Sequence, residues 1–259
     1  MDSRRGVLYP TRLPEFHRMV PSSGAEDLVE WFWIPEWDID PGRVSRQHVV
    51  AFPALNLVVE PSGIELVGAT TRASYRDLAG RGWAVGALLR PASVSVLTDD
   101  PAGLRDSAAA FAAPDLHAAI SQVMNDDGGA RSRETAVEMF SAWLIERVGA
   151  VGPLARQANT MSTMLMGDES VTRPEHAAAR LSMSVRTLQR LAHRHVGLPP
   201  AAMIRRRRLQ EAAERIRAQP DTDLSILAAE LGYTDHSHLT NDFGTVLGIT
   251  PRAYRSAHD

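Results

Sequence analysis

Arg186, Arg190 and Arg194 recur every four residues, with Gln189 and His193 beside them, and no acidic residue occurs from Ser184 to Gln210. On a helix that spacing lays three guanidinium groups along one face. Guanidinium forks pair bidentately with phosphate oxygens or with guanine O6 and N7, and a carboxamide such as Gln189 suits adenine. A helix face that is merely solvated usually mixes charge signs, and this one does not. The chemistry it fits is recognition of a polyanion with readable edges.

A short helix, Pro174–Leu181, and a turn at Ser182-Met183 lead into the arginine helix, which runs from Val185 to about His195. Ser184 is placed to cap it, since its hydroxyl can accept a free backbone N–H. Leu188, Leu191 and Ala192 form the inward side. Two helices joined by a tight turn, the second carrying exposed readers, is a helix-turn-helix pattern suited to a major groove.

The unit is repeated. Gly197-Leu198-Pro199-Pro200-Ala201-Ala202-Met203 is echoed 51 residues later by Gly248-Ile249-Thr250-Pro251-Arg252-Ala253-Tyr254. Upstream, Ala178-Ala179-Arg180-Leu181 parallels Ala228-Ala229-Glu230-Leu231. Such self-similarity means one structural unit used twice. The second copy predicts a helix over Leu224–Leu231, a turn at Gly232-Tyr233, and a reader over Asp235–Val246. Leu239, Phe243 and Leu247 face inward. Its outward positions are His236, Ser237, Thr240, Asn241 and Gly244, with no arginine, and Asp242 nearby would repel phosphate. Pro199-Pro200 opens a long helix to Ala218 between the copies. It carries Arg205-Arg206-Arg207-Arg208, of which one or two, Arg205 among them, are expected to reach phosphate while the others brace the units.

The charge distribution agrees. The chain of 259 residues has net charge −3, yet residues 173–217 hold 11 Arg against 3 acids, while residues 1–157 hold 15 Arg against 20 acids. Binding follows the local field rather than the whole-chain sum. All 28 basic residues are Arg. Zero cysteines excludes disulfides, thiolate zinc sites and cysteine nucleophiles. His193-x-His195 and His236-x-His238 do not make a metal pair, because residues two apart on a helix diverge; no metal or cofactor is expected. No apolar run reaches membrane-spanning length, and Met1–Gly6 lacks the apolar stretch of a signal peptide. A cytoplasmic protein is expected.

The first half has a different texture. His48–Phe52, Leu55–Val59, Ile64–Val67 and Trp83–Leu89 are short apolar runs separated by Pro53, Pro61-Ser62-Gly63 and Ala79–Gly82. This punctuation predicts an antiparallel sandwich or barrel. Leu28–Trp37 concentrates three Trp and one Phe, which either seal that barrel or wall a ligand pocket. Trp31, Trp33, His48, Asn56 and Arg90 are the candidate ligand-binding residues. Helices are predicted over Asp115–Met124, Glu134–Val148 and Leu154–Met166, serving as packing or as a dimer seam.

Ser184-Val185-Arg186-Thr187-Leu188-Gln189-Arg190, Val196-Gly197-Leu198-Pro199-Pro200, Arg208-Leu209-Gln210-Glu211-Ala212, Gly232-Tyr233-Thr234-Asp235-His236-Ser237-His238-Leu239 and Gly248–Tyr254, with Phe243, together resemble the AraC/XylS family of bacterial transcription regulators. The resemblance covers about 95 residues. It implies seven helices, with two helix-turn-helices on a linker helix set in successive major-groove segments about 34 Å apart. More loosely, Leu28–Trp33, Asn56–Val59 and Gly86–Pro91 are similar to the small-barrel sensory half of one branch. Two departures stand out: Ala192 replaces a bulky aromatic, and Asn241 and Gly244 occupy positions where basic residues are common.

The expected fold is α+β. Residues 1–112 form an antiparallel β-barrel or sandwich that senses an effector, 113–167 a helical segment, and 168–259 an all-α double helix-turn-helix domain. The expected partner is double-stranded DNA, contacted by Val185, Arg186, Gln189, Arg190, Arg194, Arg205, His236, Ser237, Thr240 and Asn241. A small-molecule effector, RNA polymerase and a homodimer are further candidate partners, and a membrane is not. An alternative is control by protein partners alone. An enzyme on the same module, as in Ada-like alkyl-transfer repair proteins, needs a thiolate that this chain lacks, and nothing in the spacing of His48, Glu60 and Arg90 requires them to meet.

Overall fold

In the computed structural model, residues 15–126 and 129–256 are described; the Met1–Gly6 segment, and Asp127 and Gly128 of the turn after the first predicted mid-chain helix, lie outside them. The N-terminal region is an antiparallel sheet domain. Strands β1 (Glu15–Met19), β2 (Val29–Asp38), β4 (Asn56–Glu60), β5 (Gly63–Val67), β7 (Arg81–Trp83), β8 (Val85–Leu89) and β9 (Ala108–Ala110) form one seven-stranded sheet in the order β1-β2-β8-β4-β5-β9, with β7 paired to the far end of β2. A separate two-stranded sheet joins β3 (Ser45–Val49) to β6 (Ser74–Leu78).

The pleat sorts the aromatic cluster. Along β2, Phe32 and Ile34 are fully buried, while Trp31 and Trp33 on the opposite face stay half-buried. Phe32 meets Phe140 of α3 (Ala130–Val148), ring centroids 5.3 Å apart, and so joins sheet to helix. The predicted run Trp83–Leu89 is two strands, because β7 and β8 pair with different stretches of β2. The predicted His48–Phe52 strand also differs. Pairing ends at Val49, and the residues beyond turn to the C-terminal half.

Helices α2 (Pro114–Asn125), α3 and α4 (Pro153–Gly167) match the mid-chain stripes. A seven-residue helix, α1 (Pro91–Leu97), was not predicted. It follows β8 directly and packs on α3, α4 and α6 (Val185–Val196). The C-terminal region contains α5 (Pro174–Arg180), α6, α7 (Pro200–Ala218), α8 (Leu224–Glu230), α9 (His236–Leu247) and α10 (Pro251–Ser256). Six helices are thus described after residue 168, one fewer than the resemblance implies, and α4, from the preceding segment, packs on α5, α6 and α7.

Two apolar cores result. One runs without a break from Phe32, Leu57 and Leu89 through Phe140, Met161 and Leu165 to Leu188, Leu191, Val196 and Met203. The other holds Leu209, Ala213, Ile216, Leu227, Leu239, Phe243, Leu247 and Tyr254, together with Ala51 from the sheet domain. Among the described residues, no helix is long and apolar enough to cross a membrane.

Candidate nucleic-acid interface

The two copies agree bond for bond at their turns. Leu181, Ser182 and Met183 donate their backbone N–H groups to Ala177, Ala179 and Ala178, and Leu231, Gly232 and Tyr233 donate likewise to Leu227, Ala229 and Ala228. Each turn passes through the left-handed region, at Ser182 (φ 52°) and Gly232 (φ 75°). Both α6 and α9 are capped as their sequences require. Ser184 Oγ accepts from Thr187 N at 3.1 Å and Asp235 Oδ1 from His238 N at 2.8 Å, each satisfying an N–H without a partner inside its helix. The backbone of Asp235 is extended, so it precedes α9 rather than opening it.

Leu188, Leu191, Ala192, His195 and Val196 anchor α6, and Arg186, Gln189, Arg190, His193 and Arg194 are left exposed as a continuous cationic face. Val185 at its start is half-buried. His195 turns inward, its Nδ1 3.1 Å from the Pro91 carbonyl; burial in this pocket holds its pKa below the ordinary histidine value. His193 points out and His195 in, as divergence of a pair two residues apart requires. On α9, His236, Ser237 and Asn241 are exposed and Thr240 is half-buried.

The four consecutive arginines divide their work. Arg206 and Arg207 are buried, 4% and 5% exposed. Arg206 Nε donates to the Ala51 carbonyl at 2.6 Å, and Arg207 Nη2 donates to Val171 O at 2.8 Å. Arg208 Nη2 donates to Thr172 O at 2.5 Å and its guanidinium lies over the Tyr233 ring, so it bridges the two units. Arg205 is half exposed, 3.2 Å from Asp242. That pair corrects the reading of Asp242 as a carboxylate opposing phosphate. Its side chain is only 13% exposed and its charge is engaged by Arg205.

The five candidate ligand residues do not converge. Trp33 Nε1 donates to Asn56 Oδ1 at 2.9 Å, which brings those two together. Trp31 stands edge-on to Phe52 and under the Arg18 guanidinium. His48 packs on Tyr75 near Gly248, and burial lowers its pKa. Arg90 lies elsewhere, donating to Thr163 Oγ1 and Glu26 O, in the wall of a cavity of about 800 Å³ that Asp27, Arg156 and Asn159 also line. Asn159 there is used structurally, accepting from Ala92 N and donating to Asp27 O. Glu60 pairs with Arg76, so the His48, Glu60 and Arg90 constellation is not assembled. Among the described residues no group of three metal-ligating side chains occurs. Ala51, Phe52 and Ala73, missed by sequence reasoning, form the contact with the second unit; an alanine in a loop carries no signal of such a role.

Residues 177–257 match a family profile described as a helix-turn-helix domain. This segment is similar to the helix-turn-helix domains of that family. Residues 17–108 match a domain of unknown function, DUF6597. Two similar curated proteins are HTH-type transcriptional activators. The HTH-type transcriptional activator RhaS of Pectobacterium carotovorum subsp. carotovorum is 32% identical over 78 residues, which is 30% of this chain and 28% of that protein. RhaS of Escherichia fergusonii is 33% identical over 85 residues, 33% of this chain and 30% of that protein. The similarity therefore spans under a third of those relatives' length. Among solved structures, ToxT from Vibrio cholerae is similar over 87% of this chain and 97% of that chain, with 12% identity and a TM-score of 0.44. The C-terminal domain of AraT from Geobacillus stearothermophilus is similar over 40% of this chain and 85% of that one, with 20% identity and a TM-score of 0.35.

Proposed function

We propose that the protein is a sequence-specific DNA-binding transcription regulator in which α6 is the dominant reader, α9 a weaker one, and the N-terminal domain a gate. The observation that carries this is the face of α6, where Arg186, Arg190 and Arg194 are exposed together with Gln189. On α9 no arginine is present, and Arg205 of the linker helix is held by Asp242. Arg190 and Gln189 would read base edges, Arg186 and Arg194 would flank them on phosphate, and Val185 would meet a thymine methyl. His236, Ser237, Thr240 and Asn241 would supply hydrogen bonds of lower strength.

The gate rests on the half-exposed Trp31 and Trp33, against which a small, largely apolar effector would lie. Trp31 touches Phe52, and the neighbouring Ala51 is packed in the core of the second unit. A homodimer or RNA polymerase would dock on the exposed stripe Met139, Ala142 and Ile145 of α3.

The test uses duplexes enriched by the full chain from a randomised pool. Arg190→Ala is expected to weaken the selected site by about 1–3 kcal/mol and to relax preference at one base pair. Asn241→Ala is expected to cost less. Equal loss on selected and random DNA would reduce Arg190 to a phosphate anchor, and a larger effect of Asn241 would reverse the ranking of the two units.

A further inference from the structure

The glycine that ends each reader helix is also a point where the chain touches the N-terminal domain. Gly197 and Gly248 both adopt φ near the left-handed region, 78° and 76°, which glycine takes without strain. Both are also pressed against something. A Cβ on Gly197 would lie 2.3 Å from Pro101 O, and one on Gly248 would lie 2.2 Å from His48 Nε2 and 2.9 Å from Ala73 Cβ. The repeated motif therefore has a second use beyond ending a helix.

The two contacts are built differently. Beneath α6 the apolar core is continuous with that of the sheet domain, and His195 is seated on Pro91. Beneath α9 the contact is smaller, with only Val50 and Ala51 of the sheet domain in the second apolar core, and is completed by hydrogen bonds. Ala51 N donates to Val246 O at 3.2 Å and Ala73 N to Thr245 O at 3.0 Å. Ala51 O accepts from Arg206 Nε, and the Arg206 guanidinium lies 5.7 Å from the centre of the Phe52 ring. The Phe52 backbone is in turn tied to Thr70, whose Oγ1 accepts from Phe52 N and whose N donates to Phe52 O. Arg206 is buried without a carboxylate at hand, and burial lowers its pKa to about 10. A buried charge needs its hydrogen bonds, so Arg206 is committed to the Ala51 loop.

We infer that the N-terminal domain fixes the spacing of the two reader helices by seating both, and that Arg206 is the positioning residue that fastens the second seat. This rests on the DNA-binding reading for its consequence but not for its geometry. The first seat is part of a core and stays closed. The second is held by a few hydrogen bonds to two short segments, at Ala51 and Ala73, and by the packing of Val50 and Ala51, which makes it the adjustable one. An effector displacing Trp31 or Phe52 would act through the Ala51 loop on where α9 stands relative to α6, with no change on either reading face.

The experiment has two arms, both on the full chain. In the first, amide hydrogen exchange is followed at Ala51 and Ala73 in wild type, Arg206→Met and Arg206→Lys. Loss of a charge-assisted hydrogen bond is expected to speed exchange there roughly tenfold or more in the Met variant, less in the Lys variant, with α6 amides unchanged. Unchanged exchange at Ala51 and Ala73 would overturn the role of Arg206. In the second, affinity is compared between a duplex selected by the wild type and the same duplex with one base pair inserted between the two contacted segments, which moves one of them by about 3.4 Å. Wild type should discriminate strongly and Arg206→Met weakly. Faster exchange with spacing discrimination intact would show that the seat does not position the readers. Failure of the wild type to select any duplex would sink the DNA reading and the spacing claim with it, while the exchange arm still decides whether Arg206 fastens the loop.

Discussion

Gly197→Ala and Gly232→Ala impose the same backbone strain in two places, and only one of them adds a collision. Their φ angles are 78° and 75°, so each alanine should cost about 1–2 kcal/mol for occupying the left-handed region. At Gly232 the nearest atom to the new methyl is the flexible guanidinium of Arg208, at 3.5 Å. At Gly197 it would sit 2.3 Å from Pro101 O, 2.6 Å from Pro101 C and 3.0 Å from Ala102 N, all backbone. The end of α6 cannot give locally, because Val196 and Leu198 on either side of Gly197 are buried. Overpacking of this kind costs a further 1–3 kcal/mol, roughly. For a chain of this size that difference corresponds to a gap on the order of 5 °C in melting temperature, Gly197→Ala being the lower. Thermal and urea unfolding of the full-length variants, followed by circular dichroism, measures it. Equal destabilisation would refute the packing of the Pro101 segment on α6, and with it the first of the two seats.

Other outcomes follow from single residues. Ser182 holds the turn position that glycine holds in the second copy, so Ser182→Gly should exchange a left-handed cost of about 1–2 kcal/mol for a glycine entropy cost of about 0.5–1 kcal/mol, raising the urea midpoint slightly; a lower midpoint would contradict the strain. Phe140 is fully buried between Phe32 and Trp143, and Phe140→Ala should cost about 3–5 kcal/mol in urea unfolding. At Asp106 partial burial pushes the carboxyl pKa up, but hydrogen bonds from Thr71 outweigh it and the net shift is downward. A lowered folded value means that its stabilisation is present above the unfolded pKa of about 3.9 and is lost as pH falls through the folded one. Asp106→Asn should therefore flatten the acid limb of a stability profile below about pH 4; an unchanged limb would show that the Thr71 contact is not coupled to folding.

The readable parts of this chain are those governed by local rules. Caps at Ser184 and Asp235, the turn at Gly232 and the apolar stripe of α6 are written within a dozen residues each, and the elements appear where that spacing puts them. The linker arginines are harder. Four in a row look polar on every side, and nothing local says that Arg206 and Arg207 point inward; the carbonyls they meet, at Ala51 and Val171, lie 155 and 36 residues away. Helix α1 is missed because seven residues give no periodicity to count, and its Pro91 start reads equally as the end of a strand. The scattered ligand candidates have a similar cause. Trp33 and Asn56 were expected together and are, through cross-strand pairing with β8, whereas Arg90 at the other end of that strand faces α4.

The uneven division of apolar core has a consequence for how the molecule comes apart. Leu188, Leu191 and Met203 share an uninterrupted interior with the sheet, while the core from Leu209 onward meets the sheet domain only around Val50, Ala51 and the His48–Ala73 contact with Gly248, with a few hydrogen bonds. Local opening follows such seams. The last fifty residues should therefore breathe as a unit of their own, becoming open to proteases while α6 is still folded. A polypeptide severed just ahead of α5 would meanwhile lose the floor on which its stronger reader stands.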